Sequence, residues 1–376
     1  MNKETQCVHS STEEVLKKRE FSILEPSFNS HEYVDVEDFE MEEETRPVDL
    51  EEIEQKICDL EGGQKALVFS SGIVAIGSVL VDLLEEGDHM IFQDEIYGGM
   101  HGFIDATLKG IGVTYTIIGN DPISVETALK PETKLVLLQT PTSPTFSIVD
   151  IEAICRIAKN KGCLTVVDNT FATPILQTPI ALGADVVIHS SAKYLGGHND
   201  LKMGAVVLSS EVADRIQMNK LLKKGEVGPD FCHLLDRSLQ TLAVRMNAQS
   251  NNAMKIAEFL DDHPDVVNVI YPGLVTHPGH SIGEVQMQGY GAMFSFELNS
   301  SVACPDAFLH NLKIITPTLS LGGVESTICE SQRSSHAKHS FKHGYTEHLL
   351  RLSVGVENAD DLIQDIEQAI SLAKDS

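Results

Sequence analysis

The 376-residue sequence predicts an α/β fold, with a large, mostly parallel seven-stranded sheet domain followed by a smaller C-terminal α/β domain. Seven short runs rich in Val, Ile and Leu are apolar throughout, and such runs are typical of strands in a sheet that is covered on both faces. Amphipathic segments such as residues 150–161 separate these runs. Because parallel strands need crossover connections, this alternation indicates a largely parallel sheet.

The predicted strands of the large sheet are Ala66–Phe69, His89–Gln93, Val113–Ile118, Lys134–Gln139, Cys163–Asp168, Ala184–His189 and Gly204–Leu208. The uncharged stretch 66–81 is short for a membrane span and contains a turn signal, so we interpret it as a buried strand followed by a buried helix. After about Val244 the pattern changes. It predicts a long helix, then three strands and a closing helix at residues 266–271, 289–298, 349–354 and 359–374.

The first 50 residues differ from the rest of the chain. Acidic residues crowd between Glu32 and Glu54, where Arg46 is the only base. Such a charge run is typical of a solvated arm rather than of a cation site. We therefore predict an acidic arm at 1–50 and two domains at 51–245 and 246–376.

Charge and cysteine content exclude several classes of function. The formal net charge is −27, which disfavours nucleic-acid and membrane-surface partners because both are anionic. The seven cysteines include no C-x-x-C pair, which argues against a disulfide framework and fits a reducing cytoplasm. The charged N-terminal segment has no apolar run of the kind found in signal peptides.

Common nucleotide and metal motifs are absent or weak. The sequence contains no G-x-G-x-x-G after a strand and no P-loop signature. Spacings of three and four would place three histidines on one face of a helix: His336, His339 and His343. His348 would not lie on that face, and no carboxylates complete a set of metal ligands. We interpret the histidines as a solvated loop or helix face and predict no metal site.

A stronger constellation lies at the ends of three predicted strands. Small residues at 70–72 open a helix whose first N–H groups are free to bind an anion. Asp168 ends another strand, and Lys193 follows the next one, so both lie where parallel sheets bind ligands. A phosphate site, a carboxylate and a lysine on one sheet edge suit pyridoxal 5'-phosphate (PLP).

At these residues the chain resembles the PLP-dependent enzymes of cysteine and methionine metabolism. The resemblance covers residues 56–374 and is carried by LEGGQKALVFSSGIVAI, GDHMIFQDEIYGG, VVDNTFATP, DVVIHSSAKYLGGHND, VIYPGLVTHPGH, SLGGVES and LLRLSVGVENADDLIQDIEQAI. It implies the type I aminotransferase-like fold and a homotetramer built from dimers that share active sites. It also implies that 51–245 binds the cofactor and that 246–376 binds the substrate carboxylate.

The resemblance implies a role for each site residue. Lys193 matches the Schiff-base lysine, and Asp168 matches the carboxylate that faces the pyridine nitrogen. Tyr97 matches the tyrosine that stacks on the cofactor ring and acts as an acid or base. The phosphate ligands are the amides of Gly72 and Ile73 and the hydroxyl of Ser190.

The substrate side is implied in the same way. Arg351 lies on an apolar strand and matches the arginine that binds the substrate carboxylate, with Ser320 assisting. Leu319 occupies a position where many cystathionine-handling relatives carry a Glu. An apolar residue there favours apolar thioethers, although it could equally serve only in packing.

The sequence also departs from the family pattern. The family's Tyr-Ser-Arg segment, which reaches the neighbouring subunit's phosphate, corresponds here to a shortened acidic stretch, Phe39–Leu50. Ala192 replaces a phosphate-binding Thr, and Ser143 replaces an Asn near the cofactor's phenolic oxygen. We expect these changes to weaken cofactor retention.

The resemblance implies a carbon–sulfur lyase of the cystathionine γ-lyase or methionine γ-lyase type, which releases a thiol, a 2-oxo acid and ammonia. Three alternatives stay open. One is γ-replacement, as in cystathionine γ-synthase or O-acetylhomoserine sulfhydrylase, and another is cystathionine β-lyase activity. The third is a weakly active or non-catalytic cofactor-binding relative. The retention of four site residues argues against it: Lys193, Asp168, Tyr97 and Arg351.

Overall fold

The computed structural model describes residues 2, 5, 50–213, 227–299, 305–331 and 348–374. The histidines at 336, 339 and 343 and most of the predicted acidic arm lie outside the described residues. Among the described residues, no helix is both long and apolar enough to cross a membrane.

Seven strands form the large sheet: β1 (Lys65–Phe69), β2 (His89–Gln93), β3 (Thr114–Ile118), β4 (Thr133–Gln139), β5 (Leu164–Asp168), β6 (Val186–His189) and β7 (Gly204–Leu208). Their order is β1-β7-β6-β5-β4-β2-β3, and β7 runs antiparallel to both of its neighbours while the other pairs are parallel. The predicted seven-stranded, mostly parallel sheet is therefore confirmed, with strand ends within two residues of the predicted ones.

The second sheet has five strands: β8 (Val266–Ile270), β9 (Met293–Leu298), β10 (Thr316–Pro317), β11 (Thr327–Glu330) and β12 (Leu349–Ser353). Their order is β10-β11-β12-β9-β8. The sequence prediction missed β10 and β11, because strands of two and four residues are too short to produce a periodic pattern. It also began β9 four residues early.

The α-helices are α1 (Leu50–Glu61), α2 (Gly72–Leu83), α3 (Gly98–Phe103), α4 (Pro122–Ala128), α5 (Ile151–Asn160), α6 (Thr173–Leu176), α7 (Pro229–Leu239), α8 (Leu242–Asp261), α9 (His280–Gln286), α10 (Pro305–Asn311) and α11 (Ala359–Lys374). A short π-helix and a 3-10 turn extend α3 to Ile111. The predicted domain boundary at 245/246 falls within α8, and the division into domains stays a proposal.

Both faces of the large sheet are covered. One apolar cluster joins Val167 and Val187 to Ile57 of α1, while another joins Val166 and Ile188 to Ile76 of α2. Because side chains alternate across a strand, β5 and β6 contribute to both clusters. This alternation fixes which side chains at the strand ends face α1 and which face α2.

Candidate active site

The N-terminus of α2 lies against the turn after β6. Ser71 caps the helix, and its Oγ accepts a hydrogen bond from the Val74 amide at 3.4 Å. A Cβ on Gly72 would lie 2.9 Å from Cβ of Ser190, so only glycine permits this approach. The first amides of a helix have no partner within it and carry the positive end of its dipole. Gly72, Ile73 and Ser190 thus form a cradle for an anionic group.

Asp168 ends β5 and is joined to Ser190 through one side chain. Its Oδ1 accepts hydrogen bonds from the Thr170 amide at 3.0 Å and the Thr170 Oγ1 at 2.5 Å. The same Oγ1 accepts a bond from the Ser190 amide at 2.9 Å. Burial raises the pKa of Asp168, and the Thr170 bonds oppose that rise. A cationic ring nitrogen beside Asp168 would stabilise its charged form.

Lys193 lies in a tight turn three residues beyond Ser190. Its amide donates to the Ser190 carbonyl at 3.1 Å, and its carbonyl accepts from the Gly197 amide at 2.6 Å. Gly322 presses on this turn, since a Cβ there would lie 3.1 Å from the Lys193 carbonyl carbon. Burial lowers the pKa of Lys193, and the Arg351 cation lowers it further. The neutral amine, the form in which a lysine can act as a nucleophile or a base, is thereby favoured.

Arg351 lies on β12, is 4% exposed, and donates from Nη2 to the Leu319 carbonyl at 3.0 Å. Among the residues that the structure describes, no carboxylate pairs with this guanidinium. A buried guanidinium that has no carboxylate partner in the protein can bind the carboxylate of a ligand by donating two parallel hydrogen bonds. Ser320 Oγ donates to Asn199 Oδ1 at 2.9 Å, and the Leu319 side chain is 54% exposed.

Tyr97 reaches the same sheet edge from the turn before α3. Its amide donates to Gln139 Oε1 at 2.8 Å, and Gln139 is the Cα partner of Asp168 in the sheet. A Cβ on Gly99 would lie 2.5 Å from the Tyr97 ring, so glycine leaves room for the phenol. Tyr97 is 40% exposed at this edge.

Contacts at the strand ends link Gly72, Asp168, Ser190 and Lys193, while Arg351 lies on β12 of the second sheet and contacts the Leu319 carbonyl. The roles of all nine site residues stay predictions. Of the departures from the family pattern, Ser143 is fully buried and its Oγ has no hydrogen-bond partner within the described part of the chain. Residues 39–49, where the cross-subunit clamp is expected to be lost, lie outside the described residues.

Helix α8 supports the site in a way that the sequence analysis missed. Arg245 is 5% exposed and donates to the carbonyls of Tyr194 at 2.7 Å, Leu195 at 3.2 Å and Ser238 at 2.9 Å. Burial lowers the pKa of Arg245 to about 10. Arg245 thereby holds the turn that carries Lys193. A signal was present, since it is the only charged residue between Arg237 and Lys255.

Two further polar side chains lie on the same face of α8 as Arg245. Gln249 donates to the carbonyls of Gly323 at 2.7 Å and Val354 at 3.1 Å. Asn252 donates to the carbonyls of Gly355 at 3.2 Å and Glu357 at 2.7 Å. One face of α8 thus binds the backbone on both the lysine side and the arginine side of the site.

We expect Arg245→Met to lower the free energy of unfolding by about 3 kcal/mol or more, because buried carbonyls left without donors cost ~1–3 kcal/mol each. Urea denaturation of the cofactor-loaded protein measures the change. Arg237→Met, which removes an exposed arginine from α7, is the matched control. Equal unfolding midpoints for the two variants would contradict the supporting role of Arg245.

Comparison with known proteins decides the family. The model of the family described as "Cys/Met metabolism PLP-dependent enzyme" matches residues 36–371. The chain belongs to this family. It is 42% identical over 324 residues to a cystathionine gamma-lyase of Bacillus subtilis (strain 168), covering 85% of each chain. It is 44% identical to a cystathionine beta-lyase of Lactococcus lactis subsp. cremoris (strain MG1363), again over 85% of each.

A solved structure agrees with these relatives. The crystal structure of a cystathionine gamma synthase from Xanthomonas oryzae pv. oryzae is 39% identical, with a TM-score of 0.81 over 86% of this chain and 85% of that one. The predicted family and fold class are confirmed. This family member is a PLP-dependent enzyme, as predicted, related to lyases and synthases of transsulfuration.

The residues present fit PLP. The cradle between Gly72 and Ser190 suits its phosphate, because a side chain on Gly72 would fill it. The buried carboxylate of Asp168 suits a protonated ring nitrogen. Lys193, with its lowered pKa, suits the aldehyde.

Proposed function

We propose that this enzyme is a carbon–sulfur lyase acting on sulfur amino acids by γ-elimination, releasing a thiol, a 2-oxo acid and ammonia. The observation that carries the proposal is the environment of Arg351. Its neighbours across the two strand pairs, Cys329 and Ser295, are uncharged, and the exposed side chain beside it, Leu319, is apolar. A pocket of this kind binds an α-carboxylate and an uncharged thioether.

Each residue has a proposed part in the reaction. The amides of Gly72 and Ile73 and the Ser190 hydroxyl would hold the phosphate, and Asp168 would keep the pyridine nitrogen protonated. When bound, PLP supplies the electron sink for negative charge that develops at the substrate's α-carbon.

The proton transfers fall to two side chains. Arg351, assisted by Ser320, orients the substrate through its α-carboxylate, and Lys193 removes the α-proton. Lys193, which shuttles the α-proton away from Cα, then takes a second proton from Cβ, so that the sulfur leaves from Cγ with the bonding electron pair. Tyr97 is the proposed acid that protonates the departing sulfur, since its ring is exposed at the same sheet edge.

We expect Leu319→Glu to raise the ratio of kcat/KM for cystathionine to that for methionine roughly ten- to a hundredfold. A carboxylate there gives the distal ammonium of cystathionine a charge-assisted contact of ~1.5–3 kcal/mol, which methionine cannot make. Leu319→Gln, which has the same length and no charge, is the control. An unchanged ratio in the Glu variant would remove Leu319 from substrate selection.

The alternatives are γ-replacement, cystathionine β-lyase activity, and weak or absent catalysis. Incubation with cystathionine, methionine, cysteine and O-acylated homoserines separates them. Release of 2-oxobutyrate from methionine and cystathionine supports the proposal. A new thioether made from an O-acylated homoserine and cysteine would indicate γ-replacement, pyruvate from cystathionine would indicate β-elimination, and the absence of any product would indicate a non-catalytic relative.

We further propose that the enzyme works in the cytoplasm as a homotetramer built from dimers. The net charge of −27 disfavours nucleic-acid and membrane-surface partners, leaving the amino-acid substrate as the small-molecule partner.

A further inference from the structure

A glutamate and a histidine that the proposed reaction does not use are paired in the interior. Glu61 ends α1 and His189 ends β6, and both side chains are 0% exposed. Oε1 of Glu61 and Nε2 of His189 are 2.6 Å apart. Burying two titratable groups costs desolvation free energy, and pairing them offsets part of that cost. Buried titratable groups with such partners are often found at functional sites.

The pair is bonded to the segment that follows Asp168. Asn169 Nδ2 donates to the same Glu61 Oε1 at 2.8 Å, and Gln177 Nε2 donates to Asn169 Oδ1 at 2.9 Å. Asn169 directly follows Asp168, and His189 directly precedes Ser190. The Glu61–His189 pair is therefore fixed to the neighbours of two proposed cofactor residues.

The pair lies on the opposite side of the sheet from Asp168. Asp168 is the Cα partner of Ile188, which packs in the cluster on the α2 side. Side chains alternate across a strand, so His189 faces the α1 side with Val187. The pair thus acts from behind the sheet, where a substrate has no access.

The electrostatics give the pair a second effect on Asp168. Burial raises the pKa of Asp168, the hydrogen bonds from Thr170 oppose that rise, and His189 opposes it to a smaller extent.

We propose that Glu61 and His189 are positioning residues for PLP, which fix the backbone at Asp168 and Ser190 through the bond to Asn169 and the end of β6. The proposal rests on the proposed role of Asp168. It is independent of which sulfur amino acid the enzyme cleaves.

Glu61→Gln tests it, because glutamine keeps the length of the side chain and removes its charge. The matched control is Glu54→Gln on the same helix, where a buried carboxylate accepts from the Val68 amide at 2.9 Å in β1, a strand that is not a neighbour of β5 or β6. Apo-protein of each variant is titrated with PLP by equilibrium dialysis, and the visible absorption band of the bound cofactor is recorded. Asp168→Asn serves as the reference.

We expect the Kd of Glu61→Gln for PLP to rise about tenfold relative to Glu54→Gln, because the bonds that Glu61 makes to Asn169 and His189 lose their charge assistance. Its absorption band should shift in the same direction as that of Asp168→Asn. His189→Gln should behave alike, and the double variant should be no weaker than the weaker single variant, because the two residues act as one unit.

The outcomes separate the two proposals. If Asp168→Asn changes the affinity and the band while Glu61→Gln and His189→Gln match Glu54→Gln, the pair is only structural and the inference is wrong. If Asp168→Asn itself changes neither, the proposed site is wrong. Should Glu61→Gln fail to fold, the singly substituted His189→Gln decides the question by the same readouts.

Discussion

Lys193→Ala is expected to reduce kcat by about a thousandfold or more and to abolish the attachment of PLP to the chain on borohydride reduction. The substitution removes both the amine that binds the cofactor's aldehyde and the base that takes the α-proton, and a single positioned base already contributes about 10²–10⁴-fold. Turnover of methionine and a tryptic map of the reduced protein measure the two effects.

Lys202→Ala is the matched control, because it removes an exposed lysine nine residues further along the chain. We expect it to retain activity and labelling. If the map of the unsubstituted enzyme places the reduced cofactor on a lysine other than Lys193, the assignment of the whole site is wrong.

Arg351→Met is expected to lower kcat/KM by about 10²–10⁴-fold. A carboxylate bound by both nitrogens of a guanidinium loses two charge-assisted hydrogen bonds, at ~1.5–3 kcal/mol each. Methionine keeps an apolar side chain of similar length on β12, so the strand should still pack. Steady-state kinetics with the substrate that the unsubstituted enzyme prefers give the ratio.

Two further variants make this result specific to the carboxylate. Arg351→Lys keeps the charge without the planar fork and should recover part of the loss. Arg156→Met removes an exposed arginine from α5 and should leave kcat/KM unchanged. A value for Arg351→Met within a few-fold of the control would mean that another group binds the carboxylate.

The strands of the large sheet could be predicted because each is buried on both faces and therefore apolar along its whole length. An apolar run does not show in which direction a strand runs, so the sequence does not predict that β7 is antiparallel to its neighbours. β10 and β11 were missed for a different reason. Pro317 and the residues around it are polar or partly exposed, and their pairing depends on the neighbouring strand rather than on their own sequence.

The site residues could be placed at strand ends, but their supports could not. Asp168 and Lys193 follow predicted strands, and strand ends meet at one edge of a parallel sheet. Arg245 acts on the Tyr194 carbonyl 51 residues away, and such a contact is visible only in the fold. The Glu61–His189 pair joins residues 128 positions apart for the same reason.

The polar face of α8 has a mechanical consequence. Arg245, Gln249 and Asn252 are carried by one continuous helix and span about 10 Å of its length at 1.5 Å per residue. The turn that carries Lys193 and the backbone after Arg351 are both hydrogen-bonded to this one helix. We therefore expect the distance between the Lys193 amine and the Arg351 guanidinium to change little when the two sheets move.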